Sequence, residues 1–141
     1  MQNFFEEYRY IVVPLGLWCG IQLFKFLYDR VETKKWHFER LLGAGGMPSS
    51  HSAVVVSISV LIGKHIGFNS PLFALSGVFA FIVMYDAAGV RRAVGKQAKV
   101  LNDILTNQKL TSAEKLQEMT GHTPIQVLAG AILGLIGGLL F

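Results

Sequence analysis

A single cysteine, Cys19, leaves no partner for an intrachain disulfide and excludes a disulfide-stapled secreted scaffold. Charge is scarce: 16% of residues are Asp, Glu, Lys or Arg, where a soluble domain carries about 25%. Disorder is excluded too, because 52% of the residues are hydrophobic. The histidines and acids contain no short-spaced ligand pair such as a helical His-x-x-x-His, so no metal and no cofactor is read from the chain. The net charge of +4 comes without zinc-finger spacing, a basic zipper or an aromatic ribonucleoprotein pattern, and nucleic acid is not an expected partner. What remains is a chain whose solvent is the bilayer, organised as a single domain over residues 1–141.

Four stretches are candidates for crossing a hydrocarbon core, which takes about 20 helical residues. They run from about Tyr10 to Tyr28, from the Pro48–His51 turn to about Phe68, from Pro71 to Val90, and from Pro124 to Phe141. The first contains Gln22 and Lys25, the lysine close enough to the end to snorkel. Glu6 and Glu7 precede that stretch and no small-residue cleavage site follows it, which argues against a cleavable signal peptide. The expected fold is all-α: an integral membrane bundle of about four transmembrane helices with an additional short surface helix.

Two polar loops separate these stretches, Asp29–Met47 and Arg91–Thr123. In the second, Thr111-Ser-Ala-Glu114 matches a capping box, which predicts the short helix over Ser112–Thr120. Ala98, Leu101, Ile104 and Leu105 recur at helical spacing and predict an amphipathic segment on the membrane surface. Four spans put both loops on one side. When Arg40, Arg91 and Arg92 are set aside as substrate ligands, seven basic residues remain in these loops against two, Arg9 and Lys64, on the other side. The positive-inside rule then predicts a multi-pass protein with its loops, and any chemistry they hold, on the cytoplasmic face.

Three segments carry chemistry. In Gly45-Gly-Met-Pro-Ser-Ser-His-Ser-Ala53, glycines allow close backbone approach to a ligand and serines can cap the next helix, whose N-terminus favours an anion that His51 can protonate. The plain structural alternative is a glycine turn and serine cap at the start of a membrane helix. In Asp86-Ala-Ala-Gly-Val-Arg-Arg92, an aspartate at membrane depth needs a partner, and the two arginines suit it or phosphate oxygens; an ion pair at a helix end is the alternative. In Gly121-His-Thr-Pro-Ile-Gln126, Thr123, Pro124 and Gln126 read as a helix start, with Gln126 able to complete a capping box. His122 gains weight from its company. Two histidines, several arginines and a glycine turn make a minimal set for phosphoryl transfer through a phosphohistidine.

Together with Tyr85 and Leu101-Asn102, these strings resemble the divergent branch of the type 2 phosphatidic acid phosphatase superfamily, which is related to vanadium-dependent haloperoxidases; the resemblance runs from about Met1 to Leu140. It implies that His51 is the general acid, Ser49 a phosphate-contacting serine beside Ser50, and His122 the nucleophile. Arg40, Arg91 and Arg92 would hold phosphate oxygens, with Lys34 or Lys35 a loose echo of the first motif. Two departures stand out. Ordinary members place an arginine six residues before the nucleophile, whereas about thirty residues separate Arg91 and Arg92 from His122. They also carry an aspartate four residues after it, where this chain has Gln126. A glutamine can hold a tautomer but cannot stabilise an imidazolium by charge, so Gln126 orients His122 weakly or Asp86 takes over that task.

The implied activity is hydrolysis of a lipid phosphate or polyprenyl diphosphate through a phosphohistidine, without a metal, among membrane lipids. Homo-oligomerisation is compatible with the chain. An alternative is a membrane protein that binds lipid phosphate with weak or no turnover. A third reading, a small transporter or channel subunit, rests on Gly130, Gly134 and Gly138, whose spacing is more simply explained by helix packing.

Overall fold

The computed structural model describes residues 2–38, 45–107, 116, 118 and 120–141. They form five helices: α1 Gln2–Thr33, α2 Ser50–His65, α3 Pro71–Ala88, α4 Val90–Asn107 and α5 Pro124–Leu140. The fold is an all-α membrane bundle. Two helical stretches, Phe4–Thr33 and Pro71–Asn107, are long and apolar enough to cross a membrane, and Pro124–Leu140 is a shorter apolar helix. Large apolar side chains on α1, α3 and α5 point outward, among them Leu23, Phe24, Phe79, Phe81, Ile132 and Leu135. In a bilayer these are the lipid-facing surface.

α2 is the inner helix, packed against α1, α3 and α5. Many of its inward positions are small or hydroxylated: Ser50, Ser52, Ala53, Ser57 and Ser59 are buried, beside the larger Val55, Leu61 and Ile62. Small residues matter because lipid offers little hydrophobic drive for helix pairing, so association relies on close backbone approach. Ser49, Ala53 and Ser57 meet Gly130, Gly134 and Gly138 in register. A methyl group at Gly138 would lie 2.9 Å from the Ser57 carbonyl oxygen, and one at Gly134 would lie 3.0 Å from the Cα of Ala53. The glycine series is therefore a packing seam. Ser76 adds a hydrogen bond from α3 to Ser59 at 3.1 Å.

Helix boundaries follow local chemistry. Ser70 caps α3, its hydroxyl accepting from Phe73 N–H at 3.1 Å, and Pro71 occupies the first turn. Gly67, at φ 125°, makes the turn after α2. At the end opposite the candidate site, Arg9 Nη1 lies 2.8 Å from His65 Nε2, and Lys64 donates to the Leu139 carbonyl at 3.0 Å, closing α1, α2 and α5 together.

The amphipathic segment expected around Ala98–Leu105 is a full helix, α4, separated from α3 by Gly89. Among the described residues α4 packs against α3 and against Leu116, Glu118, Thr120 and Gly121 of the returning chain, and against none of α1, α2 and α5. Of the helix expected over Ser112–Thr120, most positions lie outside the described residues. Leu116, Glu118 and Thr120, which are described, are not helical.

Candidate active site

α1 ends, α2 begins, α3 ends and α5 begins at one end of the bundle. The glycine turn comes first. Gly45 and Gly46 adopt φ 123° and 77°, conformations open to glycine at little cost. Lys25, inside α1, donates from Nζ to the Gly45 carbonyl at 3.0 Å. Ser49 then caps α2: its fully buried hydroxyl oxygen accepts from Ser52 N–H at 3.3 Å and from Ser52 Oγ at 2.9 Å. Ser50 is buried in the first turn, and His51 is half-buried beside it.

His122 is delivered by two backbone contacts. Its N–H donates to the Ala87 carbonyl at the end of α3, 3.0 Å away. Gly121, at φ 100°, backs so closely onto the Arg91–Arg92 backbone that a side chain there would collide with it. The approximately thirty-residue separation noted in the sequence thus closes on itself, and Gly121 touches the arginines from which the chain departed. Asn102 locks the neck of this excursion. Its Nδ2 donates to the Leu116 carbonyl and to Glu118 Oε1, both at 2.8 Å, and its Oδ1 accepts from Leu116 N–H at 2.9 Å. Gly95 completes the neck, since a methyl group there would lie 2.5 Å from the Glu118 carbonyl oxygen.

The His122 imidazole is buried, and neither ring nitrogen has a hydrogen-bond partner among the described residues. Burial above all, then the charges of Lys25, His51 and Arg91, push its pKa down to about 4. The ring is therefore neutral at pH 7, the form in which an imidazole is able to act as a nucleophile, and it sits in a positive field that would suit an anion. His51 feels Arg91, Lys25 and Asp86. Lys25 and Arg91 are thus charges common to both histidines.

Asp86 accepts from Arg91 Nε at 2.6 Å. Its contact is with the arginine, and neither nitrogen of His122 meets it. The suggestion that Asp86 orients the His122 ring is therefore not realised in this geometry. Nor does Gln126 orient it: Gln126 Oε1 accepts from Thr123 N–H at 2.8 Å, and Thr123 Oγ1 accepts from Gln126 N–H at 3.4 Å, a complete capping box. Arg92 is exposed, contributing its backbone to the seat of Gly121. Arg40 lies outside the described residues. No three His, Cys, Asp or Glu side chains gather as a metal-binding group among the described residues.

Lys25 is the site residue that reading the sequence missed. The signal was there: Gln22, Lys25 and Asp29 are spaced three and four apart, which places them on one face of α1. Gln22 and Asp29 are buried and Lys25 half-buried, so that face turns inward. A polar stripe inside an otherwise apolar span marks a functional face more than a snorkelling end.

Comparison with known proteins agrees with this architecture. The family described as the Divergent PAP2 family matches residues 7–137. The chain is 36% identical over 129 residues to the uncharacterized membrane protein YuiD of Bacillus subtilis (strain 168), covering 82% of each. No solved structure matches it.

Proposed function

The chain belongs to the divergent PAP2 family, and from that premise we propose that it is a membrane-embedded phosphatase acting on a lipid phosphate or polyprenyl diphosphate. The observation that carries this reading is the buried, neutral His122 imidazole, with neither nitrogen hydrogen-bonded among the described residues and the ring set in the combined field of Lys25, His51 and Arg91. In the proposed reaction an imidazole nitrogen of His122 attacks phosphorus. The phosphorus–oxygen bond to the lipid breaks, and His51 gives its proton to the departing oxygen. Water, deprotonated by His51, then attacks the phosphohistidine, releasing phosphate and restoring both histidines. Lys25 and Arg91 balance charge on the transferring oxygens, Asp86 holds Arg91, and the first turn of α2 from Ser50 turns its positive end to the anion, while Ser49, whose N–H goes to the Gln126 carbonyl and whose hydroxyl oxygen accepts from Ser52, holds that turn in place. Arg40 and Arg92 are assigned, with Arg91, to the phosphate oxygens.

The basic asymmetry of the loops supports placing this end in the cytoplasm, with α1, α2, α3 and α5 as four spans and an inner-leaflet lipid as substrate. Phosphate release by purified protein in detergent, across lipid phosphates and polyprenyl diphosphates with and without vanadate, tests the activity. One observation favours a slower relative of this reading. With Gln126 engaged in its cap and Asp86 on Arg91, no carboxylate among the described residues stabilises the His122 imidazolium, so turnover is slow or the site retains lipid phosphate without cleaving it.

A further inference from the structure

α4 has three faces, separable because successive residues turn by about 100°. Gly95, Ala98 and Asn102 are buried on one face, where Asn102 bonds Leu116 and Glu118 and Gly95 lies against the backbone of Glu118 and Thr120. Val90, Val94, Leu101 and Ile104 form a second stripe, each between 45% and 58% exposed, with Gln97 the polar residue among them. Arg92, Lys96 and Lys99, with the lone acid Asp103, form the third, also exposed. The Asn102 clamp fixes the first face, and so sets the direction of the other two.

We infer that α4 docks on the surface of an anionic lipid leaflet, its Val90–Val94–Leu101–Ile104 stripe in the boundary between headgroups and acyl chains and its basic face among the headgroups. Two observations identify the occupant. The outward side of α3, carrying Ile82 and Tyr85 at 56% and 69% exposure, is lipid-facing in a membrane bundle, and the α4 stripe resumes immediately after Gly89 at the point where α3 ends. The opposite face carries three cations against one acid, the charge pattern of a helix that lies in the interface of an anionic membrane. Docking has a consequence for the candidate site, because Arg91 sits in the first turn of α4 and Gly121-His122 closes its neck. The inference concerns α4 itself and does not rest on catalysis.

The experiment uses the full chain in bilayer nanodiscs of phosphatidylcholine alone or mixed with phosphatidylglycerol. Leu101→Cys and Asp103→Cys, each in a Cys19→Ala background, carry an environment-sensitive nitrobenzoxadiazole; both positions are exposed, so neither label disturbs packing. The label at 101 is expected to emit at shorter wavelength and to be quenched by nitroxide lipids, whereas the label at 103 is quenched by iodide from water. Phosphatidylglycerol should strengthen the difference. Lys96→Gln with Lys99→Gln should lower the docked-to-free ratio by about fivefold for each lysine removed. Water-like emission at 101 in both lipids overturns the inference. So does docking that is equal in neutral and anionic discs, and so does shielding that follows the number of protein copies per disc, which would mean that a second copy covers the stripe.

Discussion

Ser49 donates its backbone N–H to the carbonyl oxygen of Gln126 at 3.0 Å, joining the start of α2 to the first turn of α5. That bond locks the segment carrying His51 to the segment carrying His122, although the two are far apart in sequence. Gln126 is the joint: its carbonyl serves Ser49 and its side chain serves Thr123.

Gln126 therefore behaves as a structural residue. Gln126→Ala is expected to cost about 1 kcal/mol of stability through the lost cap, measured as a lower thermal midpoint in detergent. Gln126→Glu keeps an oxygen within reach of Thr123 N–H and leaves stability nearly unchanged. Neither should alter kcat much. A large gain in kcat with glutamate would show instead that position 126 reaches the His122 ring.

Lys25 is predicted to bind substrate charge. Lys25→Met should raise KM by about tenfold, the scale of one charge-assisted hydrogen bond, and Lys25→Arg should recover part of the loss. Steady-state kinetics on one lipid phosphate gives the split between KM and kcat. The methionine variant also removes the leading charge that acts on His122, so its imidazole pKa should move upward.

Protonation of His122 should be visible in stability. The folded ring titrates near 4 and the unfolded ring near its ordinary 6.5, so between these values the unfolded chain holds more protons. This group's effect is thus negligible above pH 6.5, and stability is lost as pH falls toward 4. Thermal midpoints at pH 7 and pH 5 should fall further apart for the wild type than for His122→Gln.

The α2–α5 seam should not tolerate bulk. At Gly134 the neighbours are the Ala53 backbone and Val56, so Gly134→Ala forces the helices apart and should cost about 1–3 kcal/mol. Gly16 on α1 has open space around it, and Gly16→Ala should not destabilise the protein. Paired thermal unfolding of the two variants checks the contrast.

Much of this was legible in the sequence, and the reasons differ by element. The starts of α2 and α5 were readable because Ser49 and Thr123-Pro124 cap by local chemistry, which needs no tertiary partner. The Gly130, Gly134 and Gly138 seam was readable from spacing alone. The direction in which a side chain turns was not. Gln126 satisfied both an orienting role and a capping role, and only three-dimensional placement chose the cap. Asp86 could pair with His122 or with Arg91, and helix geometry around Gly89 selected the arginine. Lys25 looked like a span-end lysine because its partner, the Gly45 carbonyl, belongs to a loop that the periodicity of α1 does not mention. α2, at 16 residues, falls short of the stretch expected because Gly67 turns the chain about one helical turn early, whereas α5, at 17 residues, begins at Pro124 as expected and ends at Leu140.

The central claim is that His122 carries the phosphoryl group. Purified protein incubated with a lipid phosphate bearing radiolabelled phosphorus, quenched in alkali and digested, reads this directly, because a phosphohistidine survives base and is lost in acid. The wild type should retain label on the peptide containing His122. His122→Ala should retain none and release no phosphate, while His51→Ala should accumulate little label because the leaving oxygen is not protonated. Undiminished phosphate release by a folded His122→Ala protein would contradict the account.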